Sequence, residues 1–296
     1  MNRIKYIAFL VGAMIMVPVA SAQNDSTSLN DNPLVATTGP NVLPAGKIQL
    51  NSAVSWDYRD FDNELHLDDA TGDEWWLHRF TSHLTSLNTN LRFGVGGKSE
   101  IVTTMEGGFC LSKRKDNGDV ERSYMFVPSV GVKVNLYDGS AHLPQVTFRT
   151  DVTVPMMRLW NSNDNKITPE PSVELMLRKV LRRVVVDISL GYGWHSYSTL
   201  SDDGFRYTTA VTWLPTDRLA LGVSYGRKVV HALANPDFHI ANLVYANNMR
   251  HYNLTAMYRL TDDLQLSLEG SIAGAGTGSA YSMSSNLMLG VHWMIR

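Results

Sequence analysis

The chain has 296 residues, with 26 Lys and Arg against 28 Asp and Glu, and the resulting charge of −2 excludes a strongly basic nucleic-acid binder. Its single cysteine, Cys110, excludes an intrachain disulfide and a cysteine-built zinc centre. The mean hydropathy of −0.13 leaves a membrane location open, because only one face of a barrel strand meets lipid.

Residues 1–22 carry Arg3 and Lys5, an apolar run from Ile7 to Val19, and the small residues Ala20-Ser21-Ala22. That order of charge, apolar core and cleavage site is the pattern of a secretory signal peptide, and the run is shorter than the ~20 residues a spanning helix needs. The mature chain is expected to start at Gln23. No later stretch is long and apolar enough for a spanning helix. Residues 23–45, rich in Asn, Ser, Thr, Asp, Gly and Pro, read as an extended lead-in, a tether preceding a barrel over 46–296.

From Lys47 onward the chain alternates. Ile48, Leu50, Val54, Trp56 and Tyr58 fall on one face of a strand, and Gln49, Asn51, Ser55 and Asp57 fall on the other. An acidic loop is expected over Arg59 to Trp76. The return strand sets Leu87, Leu91 and Phe93 against Asn88, Asn90 and Arg92, and Gly94-Val95-Gly96-Gly97-Lys98 reads as a tight turn. Next, Ile101, Thr103, Met105, Phe109 and Leu111 oppose Glu100, Thr104 and Glu106, before a charged loop over Ser112 to Val120.

The fourth and fifth strands place Phe126, Val130, Val132 and Val134 against Ser129, Lys133 and Asn135, and Val146, Phe148 and Val152 against Thr147, Arg149 and Asp151. Asp138-Gly139-Ser140 turns between them, and a loop follows over Met156 to Lys166. Leu175 and Leu177 then oppose Glu174 and Arg178. A turn at Leu181-Arg182-Arg183 leads to Val184, Val186, Ile188, Leu190, Tyr192 and Trp194, set against Asp187 and Ser189.

After a loop at Ser198 to Gly204, strands are expected around Tyr207 to Trp213 and Leu219 to Tyr225, joined at Pro215-Thr216-Asp217-Arg218. The longest interruption, Arg227 to Asn247, precedes Tyr252 to Leu260, a turn at Thr261-Asp262-Asp263, a strand from Leu264 to Ile272, a Gly/Ala/Ser loop, and a last strand through Leu287, Leu289, Val291, Trp293 and Ile295. About twelve strands, joined alternately by short turns and longer loops, predict an all-β transmembrane antiparallel up-and-down β-barrel. A secreted β-sandwich is the competing fold, but its one small core would be overfilled by so many apolar side chains. Aromatic residues at strand ends, among them Trp56, Phe93, Trp194, Trp213 and Tyr225, fit a membrane interface.

The stretch from Thr38 to Leu50 (TGPNVLPAGKIQL) resembles the lead-in to the first strand of the phenol-degradation meta-pathway outer-membrane barrels. Leu91 to Ile101 (LRFGVGGKSEI) is similar to a strand end and turn of that family, as are the Thr216-Asp217-Arg218-Leu219 and Thr261-Asp262-Asp263-Leu264 turns. The chain departs from the common aromatic end of such barrels in closing on Trp293-Met294-Ile295-Arg296. The resemblance implies an outer-membrane channel or transporter passing small, often hydrophobic or aromatic, compounds.

If the apolar face meets lipid, the other lines a lumen. Its charged residues are the candidates for a constriction: Arg92, Glu100, Glu106, Lys133, Arg149, Asp151, Glu174, Arg178, Asp187, Arg206, Arg259 and Glu269. Opposite signs nearly balance, so they serve either as a selective constriction or as an ion-paired plug, since buried charges are tolerated when partnered. His195, His251 and His292 also fall on interior faces, but no serine has a recognisable nucleophile context, so the chain is not expected to be an enzyme. His231 and His239 fit no ligand spacing, and the acidic residues of the first loop fit no EF-hand, so neither a metal nor another cofactor is expected. The sequence therefore predicts a passive outer-membrane channel for small solutes, with a structural or surface-interaction barrel of closed, ion-paired lumen as the alternative. Outer-membrane lipid and the export and barrel-assembly machinery are its expected partners; nucleic acid is not.

Overall fold

A strand whose side chains alternate still leaves a backbone donor and acceptor at every residue, and closing the sheet on itself satisfies them all. The computed structural model describes residues 39–69, 72–115, 117–154, 169–194, 204–230, 250–277 and 280–295. The expected signal peptide, the lead-in as far as residue 38, the loops at 155–168 and 231–249, and His195, His231 and His239 lie outside the described residues. The strands are β1 (Ile48–Asp69), β2 (Gly72–Gly96), β3 (Ser99–Arg114), β4 (Val120–Tyr137), β5 (Gln145–Thr153) and β6 (Glu170–Leu181), then β7 (Val184–Gly193), β8 (Gly204–Thr216), β9 (Leu219–Val230), β10 (Arg250–Arg259), β11 (Leu264–Thr277) and β12 (Ala280–Ile295). Each pairs antiparallel with its sequence neighbour, and β1 pairs with β12, so the barrel closes on twelve strands with no free edge.

The short connections β2–β3, β4–β5, β6–β7, β8–β9 and β10–β11 lie at the end where β1 starts and β12 finishes. Their chemistry is local. The hydroxyl of Thr216 accepts from the amides of Arg218 and Leu219 at 3.3 and 3.1 Å, and that of Thr261 accepts from Asp263 and Leu264 at the same two distances. A threonine three residues before a leucine thus caps both turns.

At the other end the strands outrun the sequence pattern. Arg59 to Trp76, expected as a loop, instead continues β1 and β2 as one hairpin, with Asp60 opposite Thr81 and Asp69 opposite Gly72. The Gly/Ala/Ser segment likewise belongs to β11 and β12, where Thr277 pairs with Ala280. The long-loop expectation fails at both places because an acidic or Gly/Ala/Ser composition reads as loop, whereas backbone pairing between antiparallel strands needs no apolar face. Gly94 and Gly96 also lie within β2, which bulges between them, and only Gly97 and Lys98 form the turn.

The two faces differ as the alternation requires. Leu254 and Ile272 point outward and are 67% and 60% exposed, whereas the inward Gln49, Glu100 and Thr147 are completely buried. Exposed rings form two girdles: Phe93, Trp213, Tyr258 and Trp293 near the turn end, and Tyr124, Trp194 and Tyr252 towards the other. Aliphatic residues such as Val130, Leu221 and Leu289 fill the outward band between them, the distribution expected of a bilayer-spanning barrel. Inside, near the turn end, Val185, Leu214, Ala220 and Met257 pack together with Val180.

Candidate functional site

Residues 39–44 turn into the barrel at the turn end, and there the lead-in ceases to be a simple tether. Pro40 and Leu43 are buried against the inner wall. The segment is held through its backbone: the Leu43 amide donates to Glu100 Oε2 at 2.7 Å, and the Asn41 carbonyl accepts from Arg92 Nη2 at 2.7 Å and from Lys133 Nζ. The Pro40 carbonyl accepts from Thr147 Oγ1 at 2.8 Å. Gly46 donates to the Gly94 carbonyl at 2.9 Å and completes the seat. The contacts run from β2 to β5, and Gly39 lies beside the Arg178–Asp187 pair of β6 and β7. With the apolar cluster of β6 to β10, this segment makes a floor.

Under the floor, Glu100 on β3 is clamped by two cations. Arg92 donates to it from Nε at 3.0 Å and Nη2 at 2.9 Å, and Lys133 Nζ stands 3.2 Å away. Arg92 Nη1 also donates to Gln49 at 2.7 Å. These side chains are almost entirely shielded from solvent, and an ion pair survives such burial only when its geometry and remaining hydrogen bonds are satisfied. The sheet register sets the rest of the series: Glu100, Lys133, Arg149, Glu174, Gly191 and Arg206 are successive cross-strand neighbours on β3 to β8.

Arg149 and Glu174 face each other in that row yet take other partners. Arg149 bonds Asp151 on its own strand at 2.8 Å, and Glu174 pairs with Arg206 at 3.7 Å, two strands away. Gly191 makes the second pair possible, because a Cβ there would stand 2.8 Å from Arg206 Nε and block its path. Arg178 grips Asp187 with two bonds of 2.7 Å. The remaining candidates are dispersed. Glu106 accepts from Ser86 at 3.1 Å, Arg259 lies at the rim 3.9 Å from exposed Asp262, and Glu269 is on the far wall.

Above the floor is a cavity of about 390 Å³, bounded below by Gly39 and Pro40. Its wall carries Ser189, Thr208, Thr212, Ser224, Asn253 and Thr255, with Arg149, Glu174, Asp187 and Glu269 as the charged groups. Small residues at Ala210 and Gly222 leave the space open.

Alternation sets Asn51, Asn90, Thr104 and His292 on the inner face, but does not show their linkage into a polar ladder across the β1–β12 seam. Ser267, His292, Asn51, Asn90 and Thr104 are linked in sequence, at 2.9, 2.9, 3.2 and 2.9 Å. Asn51 Oδ1 can only accept, so His292 carries its proton on Nδ1, and the Ser267 hydroxyl donates to Nε2. Ser267, His292 and Asn51 therefore match the order of nucleophile, base and orienting group in an acyl-transfer triad. Ser267 is buried, however, and the backbone of β11 around it is paired with β10 and β12 in the barrel ladder. The arrangement is a lumen hydrogen-bond network. Sequence spacing could not reveal it, since Asn51 and His292 are 241 positions apart.

No protein-family model and no curated protein matches the chain. Among solved structures, it is similar to an outer-membrane channel from Pseudomonas putida F1, with 12% identity over 86% of this chain and 97% of that one and a TM-score of 0.57. It is also similar to the translocator domain of the autotransporter NalP from Neisseria meningitidis, with 9% identity, 84% and 88% coverage and a TM-score of 0.46. For the Pseudomonas putida toluene transporter TodX the values are 9% identity, 91% and 93% coverage, and 0.43. The first of these establishes the fold: the chain is an all-β barrel of the outer-membrane type.

Proposed function

We propose that this chain is a passive outer-membrane channel for small solutes, inserted in lipid after export and assembly, whose turn-end exit is shut by residues 39–44. The observation that carries this reading is an open, polar cavity ending on a floor of separable main chain rather than on the barrel wall. A segment seated by a few hydrogen bonds can be displaced without opening the sheet. The apolar outer band between two aromatic girdles supports the lipid environment.

The second reading is a barrel of structural or surface-interaction role that passes nothing, and the pairing of Glu100 with both Arg92 and Lys133 favours it. Refolded full-length protein and a variant lacking residues 39–44 separate the two in planar bilayers and liposome-swelling assays. The channel reading expects small conductance that rises several-fold on deletion. Silence in both proteins, with the barrel folded, would establish the structural role instead.

A further inference from the structure

We infer that the cavity above the floor is a binding site for a small hydrophilic cation, an amine that also carries hydroxyl or amide groups, with Glu269 as its counter-ion. This deepens the channel reading by naming a solute class, and depends on it only for entry. Six of the described lining residues, Ser189, Thr208, Thr212, Ser224, Asn253 and Thr255, offer hydroxyls and an amide alongside apolar ones such as Met176 and Ile188, and none of the described lining residues carries an aromatic ring. A site for a monoaromatic compound would instead be lined chiefly by apolar and aromatic side chains.

The charges select for sign. Arg149 is held by Asp151, Glu174 by Arg206 and Asp187 by Arg178. Among the described residues Glu269 has no hydrogen bond or ion pair. Its neighbours across the sheet are Thr255 and Met288. Glu269 is half-buried, a carboxylate partly withdrawn from water gains from a partner, and an ammonium group supplies both the charge and N–H donors for the carboxylate and the surrounding hydroxyl oxygens. A volume of about 390 Å³ suits a small molecule.

The test measures binding of 2-aminoethanol and of toluene to refolded full-length protein in detergent, by saturation-transfer NMR, for the wild type, Glu269→Gln and Glu269→Asp. The expected result is saturable binding of 2-aminoethanol, at least tenfold weaker in Glu269→Gln and largely kept in Glu269→Asp, with toluene not competing. Equal affinity in wild type and Glu269→Gln, absence of amine binding, or toluene binding in the amine's place would overturn the assignment. Because binding needs no current, a barrel that binds the amine yet stays silent without residues 39–44 sinks only the channel reading. One that conducts but ignores the amine sinks only this inference.

Discussion

Gly94 lies directly beneath Pro44: a methyl group on residue 94 would overlap the Pro44 carbonyl, so the floor segment is seated on bare backbone. The same residue exchanges hydrogen bonds with Gly46 and Lys47 on either side of that contact, at 2.9 and 3.0 Å. Any side chain at 94 therefore competes with the inserted segment for one volume. Gly94→Ala is expected to unseat residues 39–44 and raise single-channel conductance several-fold while the barrel still folds, as judged by heat-modifiable electrophoretic mobility. Unchanged conductance would remove the floor from the permeation pathway.

Glu100 neutralises two buried cations at once. In Glu100→Gln, Arg92 and Lys133 would face each other without an anion, and breaking a buried pair in this way costs about 3–5 kcal/mol. The urea midpoint of the barrel in lipid vesicles should fall accordingly. Arg259→Ala is the control: its partner Asp262 is largely exposed, so its loss should change stability by only ~0.5 kcal/mol.

Arg206 reaches Glu174 only by passing over Gly191. Gly191→Ala would push the guanidinium aside and leave a second carboxylate in the cavity without its cation. The reversal potential across a salt gradient, measured in the variant lacking residues 39–44, should then shift towards greater cation preference. A shift towards anions would show that Arg206, not the carboxylates, sets the field in the bore.

His292 joins β11 and β1 through both ring nitrogens. His292→Ala removes the acceptor of the buried Ser267 hydroxyl and the donor to Asn51 Oδ1, while Asn51 Nδ2 keeps its bond to Asn90, so the cost is about 1–3 kcal/mol, mostly for Ser267. The thermal midpoint should drop, and a fluorophosphonate probe should leave Ser267 unlabelled in the wild type. Labelling of Ser267 that vanishes in His292→Ala would instead reveal a working nucleophile.

Leu254, on the outward face between the aromatic girdles, is 67% exposed. In water an exposed leucine is replaced by lysine at little cost, but at the midplane of a bilayer the same change costs about 2–4 kcal/mol. Leu254→Lys should destabilise the barrel by up to that amount when folding is measured into vesicles. A neutral effect there would deny the outer face its lipid.

Alternation was legible in β1 from Ile48 to Tyr58 and in β5 from Val146 to Val152 because one face of each is apolar and the other polar. In the outer part of the β1–β2 hairpin it changes phase, with Phe61, Leu65 and Leu67 on the parity that is polar from Gln49 to Asp57, so that stretch did not read as a continuation of the strand. The charged lumen residues were likewise legible as a set, but not their pairing: Arg149 and Glu174, adjacent in register, turn to Asp151 and Arg206. Pairing depends on which guanidinium has room to move, and a glycine one strand away decides that for Arg206. The seating of residues 39–44 inside the barrel was not legible, since a segment that binds through its own carbonyls and amides leaves no side-chain pattern to read.

The sequence alone determined that side chains alternate between a greasy and a wet face over about twelve strands, because the period of two is built into the extended backbone and needs no distant partner. Only the tertiary structure decided that Pro40 meets Thr147, 107 positions away, and that Asn51 meets His292 across the seam. Closing the barrel sets a register over the whole chain, and with it which lumen groups lie within hydrogen-bond reach; no local stretch of sequence encodes that sum.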